Sequence, residues 1–134
     1  MSQSGRTQVV PAAIRGWHEV VERGDVSRIA PLLAPDVVFR SPAVFTSQQG
    51  SARASRYLAA AIAVLGPSMR YEREWHHGSA AILEFVAELD GLSVHGIDLI
   101  AWDTEGLITE FTVMVRPLRA LTVLVEKMGA QLAE

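Results

Sequence analysis

The chain has no cysteine among its 134 residues. That excludes a disulfide, a thiolate nucleophile and any cysteine-ligated metal. Long apolar runs are lacking too. No segment approaches the about twenty residues of a membrane-spanning helix, and the N-terminal MSQSGRTQ has no apolar signal core. A cytoplasmic protein without a membrane partner is the expectation. Charge of one sign is nowhere concentrated: the net charge is −3, with both signs scattered. No basic block marks a nucleic-acid partner and no acidic tail marks a basic one. Metal signatures such as HxH or HExxH do not occur, and the adjacent His76 and His77 face opposite sides of any strand. No metal and no cofactor are expected. Ser41 has no histidine partner in sequence and no GxSxG elbow, which argues against a serine hydrolase.

What remains is an apolar, moderately charged chain. Apolar residues make up 49 % and charged residues 20 %, the balance of a globular fold. The length suits one domain, expected over residues 1–134 with residues 1–7 as a loose tail.

The longest patterned stretch is Val94–Pro117. Val94 to Trp102 is nearly all apolar, Asp103-Thr104-Glu105-Gly106 supplies a turn, and Leu107 to Arg116 alternates. The alternation predicts Leu107, Thr109, Phe111, Val113 and Val115 on one face, and Ile108, Glu110, Thr112, Met114 and Arg116 on the other. Ahead of it, helices are predicted at Gln8–Arg23, with a stripe of Val10, Ile14, Trp17 and Val21, and at Val26–Leu33, where Pro31 demands a short or kinked element. Gly24 stops the first and Asp25 caps the second, with Pro35-Asp36 as its end. A short strand, Val37–Arg40, and a loop, Ala43–Gly50, precede a helix at Ser51–Leu65 with Ser51 as cap. Strands follow at Met69–His77 and Ser79–Leu89, with Asp90-Gly91 as a hairpin signal. Pro117 opens a last helix whose stripe is Leu118, Leu121, Val125 and Met128. Helices first and an antiparallel meander after give an α+β fold, with the sheet curling over the helices. Both faces of the central strands are apolar, so a second copy covering the outer face is expected.

This order and several local motifs resemble the nuclear transport factor 2-like superfamily, which includes SnoaL-like cyclases and ketosteroid isomerases. The resemblance runs from Val9 to Met128. It is carried by Arg23-Gly24-Asp25, by PDVVF at Pro35–Phe39, by Gly50, and above all by GIDLIAWDTEGLITEF at Gly96–Phe111. It implies a cone: a curved antiparallel or mixed sheet wrapped around the N-terminal helices, a further helix at the C-terminus, and a hydrophobic pocket on the concave side. Asp98 is similar in place to the aspartic acid that ketosteroid isomerases keep protonated to bind a substrate oxyanion, and to an acid/base aspartate of SnoaL-like cyclases. Trp17 stands where those isomerases have a tyrosine, and Ser41 where they have the general base. Ala80, Ile82 and Val113 stand where limonene-epoxide hydrolases would carry their polar set.

Two carboxylates therefore deserve the chemistry. Asp98, between Ile97 and Leu99, is costly to bury without a partner. Burial would raise its pKa and make it an acid; a structural carboxylate paired with an arginine or backbone N–H is the alternative. Glu84 is predicted on a face with Ile82 and Val86, which the resemblance turns toward the pocket. There it would be a base sharing a proton with Asp98, unless it points to solvent. Trp17, Tyr57, Phe39, Ser41, Phe111 and Val113 are the candidate ligand-binding wall, with core packing as the other role for the aromatics. His95, one face away from Asp98, belongs to a subunit interface. The function expected is an isomerase, cyclase or hydrolase-like enzyme for a small apolar carbonyl, epoxide or polycyclic compound, or else a non-catalytic ligand-binding or dimeric module.

Overall fold

The computed structural model describes residues 10–133, so the expected tail at residues 1–7 lies outside it. Helix α1 is Ala12–Arg23. It starts later than predicted because Val10 and Pro11 are not helical; Gln8 and Val9 lie outside the described residues. Ala13, Ile14, Trp17 and Val20 are its buried side chains, and Gly24 ends it at φ 65° with its N–H on Val20 O. The predicted second helix is instead two single 3₁₀ turns, Val26–Arg28 and Ala30–Leu32. Pro31 cannot donate an N–H to a continuing helix, and the chain turns into a strand two residues on. Asp25 does cap the first turn, accepting from Ser27 N at 3.2 Å.

Strand β1, Leu33–Arg40, is twice the predicted length. Pro35 and Asp36, expected to end a helix, lie inside it. They fall where its pairing with the neighbouring strand slips, between Leu33 and Val38; a missing N–H is tolerated at such an irregularity. The expected loop contains a two-residue strand, β2, Gln48–Gln49. Helix α2 is Ser51–Leu65, with Gly50, not Ser51, at the N-cap and no side-chain cap. The meander follows as β3, Arg70–His77, β4, Ala80–Leu89, β5, Leu92–Trp102, and β6, Ile108–Arg116. Between β4 and β5, Asp90 and Gly91 both take positive φ (51° and 79°), the geometry of a two-residue hairpin. Asp103 Oδ1 accepts from the N–H groups of Glu105 and Leu107 and closes the next turn. Helix α3 is Leu118–Leu132. Its buried stripe is Ala120, Leu124 and Met128; of the predicted stripe Met128 is buried, while Leu118 and Val125 are exposed.

The sheet order is β2-β1-β6-β5-β4-β3. All pairs are antiparallel except β1 with β6, which is parallel. The result is the expected α+β architecture, a curved mixed sheet holding α1 and α2 on its concave side with α3 at the end. The register fixes which side chains face inward. Leu83, Asp98 and Val113 lie directly across from one another on β4, β5 and β6; so do Phe85, Gly96 and Val115, and Ala81, Ile100 and Phe111. Those three rows face the helices and carry most of the buried residues of the meander. At Gly96 an added Cβ would stand 2.5 Å from Phe85 Cζ and from Met114 O; only glycine lets the Phe85 ring cross there. A predicted face assignment fails on β6. Ile108 is fully buried, because the pairing slips between Ala101 and Trp102 and Trp102 meets Ile108. The extra residue turns Ile108 back to the concave side.

Candidate functional site

Asp98 is 4 % exposed and lies in the middle row of the concave face. Around it the lining is Trp17 from α1, Leu58, Ala61, Ile62 and Leu65 from α2, Met69, and Phe85, Phe111 and Val113 from the sheet. The free volume they enclose is about 20 Å³, room for a single water. The aromatic wall is continuous: Trp17 meets Phe111 edge-on at 4.8 Å between ring centroids, and Phe39 lies 6.1 Å from Phe111 and 6.0 Å from Tyr57.

Asp98 has one hydrogen-bonding residue that sequence reasoning missed. The Tyr71 hydroxyl donates to Asp98 Oδ2 and accepts from Trp17 Nε1 at 2.8 Å. Tyr71 reaches inward because its partner across β3 and β4 is Phe85, itself on the concave face. Burial pushes the Asp98 carboxyl up to about 7, against the opposing pull of the hydrogen bonds from Tyr71 and Trp17. Tyr71 is held well above the ordinary phenol range, first by burial and then by the Asp98 charge. The phenol therefore stays neutral and donates, while the carboxyl takes up a proton near neutrality. A signal for Tyr71 existed: a buried carboxylate needs a donor, and Tyr71 is the tyrosine placed on a strand.

Glu84 does not join this group. It pairs across with Ile97, one residue from Asp98, so it projects from the other side of the sheet. There it accepts from Arg73 Nε at 2.5 Å and Nη2 at 3.0 Å and lies 2.8 Å from His95 Nε2. Arg116 Nη1 is 3.3 Å from His95 Nδ1. Hydrogen bonds from Arg73 first, then His95, hold Glu84 down at about 2. The predicted proton-sharing pair is corrected: the period of two in a strand puts the two carboxylates on opposite faces.

Of the six wall candidates, Trp17, Phe111 and Val113 line the void beside Asp98. Phe39 and Tyr57 stand behind Phe111 as packing. Ser41 is buried and its Oγ accepts from Ala43 N at 3.0 Å, which closes the turn after β1; it is not part of the void lining. His18, expected at the surface, is instead half-buried and lies 2.6 Å from Glu74 Oε1, with His76 on the other oxygen of the same carboxylate. Among the described residues no three His, Asp or Glu side chains are grouped to hold a metal ion, and no helix is long and apolar enough to cross a membrane.

The comparison with known families decides what this geometry belongs to. The SnoaL-like domain model matches residues 14–111, a span that holds Trp17, Tyr71, Asp98 and Phe111. The chain belongs to the SnoaL-like family. A steroid delta-isomerase from Pseudomonas aeruginosa is 37 % identical in sequence, with 91 % of this chain and 90 % of that one aligned at a TM-score of 0.87. A bacterial protein with a cystatin-like fold from Silicibacter pomeroyi is 33 % identical, over 92 % and 87 % of the two chains, at a TM-score of 0.86. An NTF2-like protein from Cytophaga hutchinsonii shares the fold alone, at 17 % identity and a TM-score of 0.64 over 87 % and 98 %. No functionally curated protein matches. The SnoaL-like fold is that of a small-molecule-binding family.

Proposed function

We propose that this SnoaL-like chain binds a small, largely apolar molecule with its carbonyl or enol oxygen at Asp98, and acts on it as an isomerase-type enzyme in which Asp98 donates to the oxygen while a water beside it takes the carbon-bound proton and returns it to the far carbon of the enol. One observation carries the reading: a carboxyl group buried on the concave face, within an apolar lining and with a phenol as its donor, where burial pushes its pKa up to about 7. Such a group donates a hydrogen bond to developing negative charge and loses little to water. The likeness to a steroid delta-isomerase supports the substrate class, a carbonyl next to a mobile C–H. Glu84 is outside this mechanism because it faces away.

The test is turnover of a β,γ-unsaturated ketosteroid, followed by the absorbance of the conjugated product. Asp98→Asn is expected to keep its circular dichroism and lose more than about tenfold in rate. An unchanged rate removes Asp98 from the chemistry. A wild type with no turnover favours the second reading, a non-catalytic ligand-binding or dimeric module, which the small void of about 20 Å³ also favours.

Either reading pairs two copies through the outer sheet face. Trp75, Leu99 and Met114 are 49 %, 37 % and 51 % exposed there, beside a hollow of about 190 Å³ lined by His95, Ile97 and Arg116 among others. A dimer mass is expected by light scattering at micromolar protein, in keeping with a cytoplasmic homodimer; a monomer mass overturns it.

A further inference from the structure

Tyr71 occupies the place a ligand oxygen would take. Its hydroxyl sits between the two polar groups that other elements aim into the apolar lining, Asp98 Oδ2 and Trp17 Nε1. Any occupant of that position must give a hydrogen to Asp98 when the carboxylate is charged, and must offer a lone pair to the indole N–H. A hydroxyl does both. An ammonium has no lone pair to offer, and a carboxylate has no hydrogen and meets the charge of Asp98. A ketone offers only the lone pair and requires Asp98 to carry the proton.

Two spaces adjoin this hydrogen-bond chain. Tyr71 lines a surface cleft of about 420 Å³ together with His18, Val21, Glu22, Met69 and Arg70 among others. Asp98, which its hydroxyl reaches, lines the void of about 20 Å³, and Met69 lines both. Joined, they would reach the size of an ordinary small-molecule site. The Tyr71 ring meets its aromatic neighbours only edge-on, Phe85 at 6.3 Å and His18 at 5.1 Å. Its strand, β3, is at one edge of the sheet, and its pairing slips between Tyr71 and Arg73.

We propose that the Tyr71 side chain is a displaceable internal occupant of the ligand site, and that the external ligand is a ring compound whose phenolic or enolic hydroxyl replaces it on Asp98 and Trp17. The ring of the ligand enters from the cleft past Met69 as the tyrosine swings out. The inference rests on the reading that Asp98 marks the polar end of the ligand site.

The experiment uses the tyrosine side chain itself as the probe, in the form of p-cresol. Tyr71→Ala leaves a space of that shape. p-Cresol is expected to raise the melting temperature of Tyr71→Ala and to leave the wild type nearly unmoved. It should bind Tyr71→Ala at least about tenfold more tightly than toluene does, and adding Asp98→Leu should erase that preference. Equal binding of toluene and p-cresol, or no binding to folded Tyr71→Ala, overturns the proposal. Tyr71→Phe keeps the ring and removes only the latch. β-Naphthol, titrated by its fluorescence, is expected to bind Tyr71→Phe more tightly than wild type. Equal or weaker binding overturns the proposal even if Tyr71→Ala does not fold. The ketosteroid assay separates the two ideas. Absent turnover with the p-cresol pattern intact sinks the catalytic reading alone; Asp98-dependent turnover without that pattern sinks this one alone.

Discussion

Asp98 and Glu84 are two carboxylates on adjacent strands, one pairing position apart, and they live in opposite chemical worlds. Asp98 faces the helices, has a phenol as its hydrogen-bonding partner, and holds its proton to about pH 7. Glu84 faces outward, has a guanidinium and an imidazole, and stays ionised down to about pH 2. Residue type and strand position are nearly the same. The difference is the face of the pleat, which decides whether desolvation or a cationic donor dominates. A carboxylate's chemistry here follows from its register in the sheet.

The largest test of that contrast is the pH dependence of stability. Below about pH 4 Asp98 is protonated in both the folded and the unfolded chain. As pH rises, the unfolded chain loses the proton first while the folded site retains it, so stability falls between about pH 4 and about pH 7 and then levels off. The fall at this site is on the order of 4 kcal/mol. Asp98→Asn should flatten it and be the more stable protein at pH 8, as read by urea unfolding at pH 4 and pH 8. A wild type whose Asp98-dependent slope is zero would refute the raised pKa.

The next effect concerns packing on the two faces. Gly96→Ala forces a Cβ into Phe85 and the Met114 carbonyl and should cost roughly 1–3 kcal/mol. Met114→Leu, on the half-exposed outer row, should stay within about 0.5 kcal/mol in the single chain. Equal losses in chemical denaturation would mean that the outer face is as tightly filled as the inner one. Smaller again is Glu84→Gln. The stability Glu84 contributes is present above about pH 4.5 and lost as pH falls toward 2, the reverse of Asp98. The glutamine variant should lose that acid-side dependence and keep its activity on a ketosteroid; it should be the less stable protein above about pH 4.5 and match the wild type near pH 2, by a margin that the largely solvated Arg73 keeps small. A turnover loss comparable to that of Asp98→Asn would put Glu84 back into the mechanism. The smallest effect is Arg40→Ala, which breaks a 2.9 Å pair with Glu110 at half-exposed positions and should cost about 0–1 kcal/mol.

Most of the fold was legible because its signals are local. Asp90-Gly91, Asp103 to Gly106 and the apolar runs on either side define the meander without knowledge of anything distant. Three misreadings come from strand register. A one-residue bulge moved Ile108 inward, a longer irregularity between Leu33 and Val38 let Pro35 and Asp36 sit inside β1, and a parity error sent Glu84 to the pocket when its register sends it out. In strands a slip of one reverses every side chain, and no composition signal marks it. At the site, Asp98 was legible as a charge among aliphatics. Tyr71 was not, because its partnership with Asp98 depends on how β3 meets the rest of the sheet and on Trp17 from a helix 54 residues earlier.

The parallel pairing of β1 with β6 bears on how the molecule is assembled in time. Strands β3 to β6 follow one another by short turns and close contacts between near neighbours in sequence, the kind that forms quickly. β1 emerges first from synthesis yet finds its partner only after some seventy further residues, since Phe39 pairs with Phe111. Contacts of that span are slow to form. The meander is therefore expected to gather early as a scaffold carrying Asp98 and Tyr71, with β1 docking against it late, so that a chain released before β6 is made would leave β1 with only the two-residue β2 to pair with.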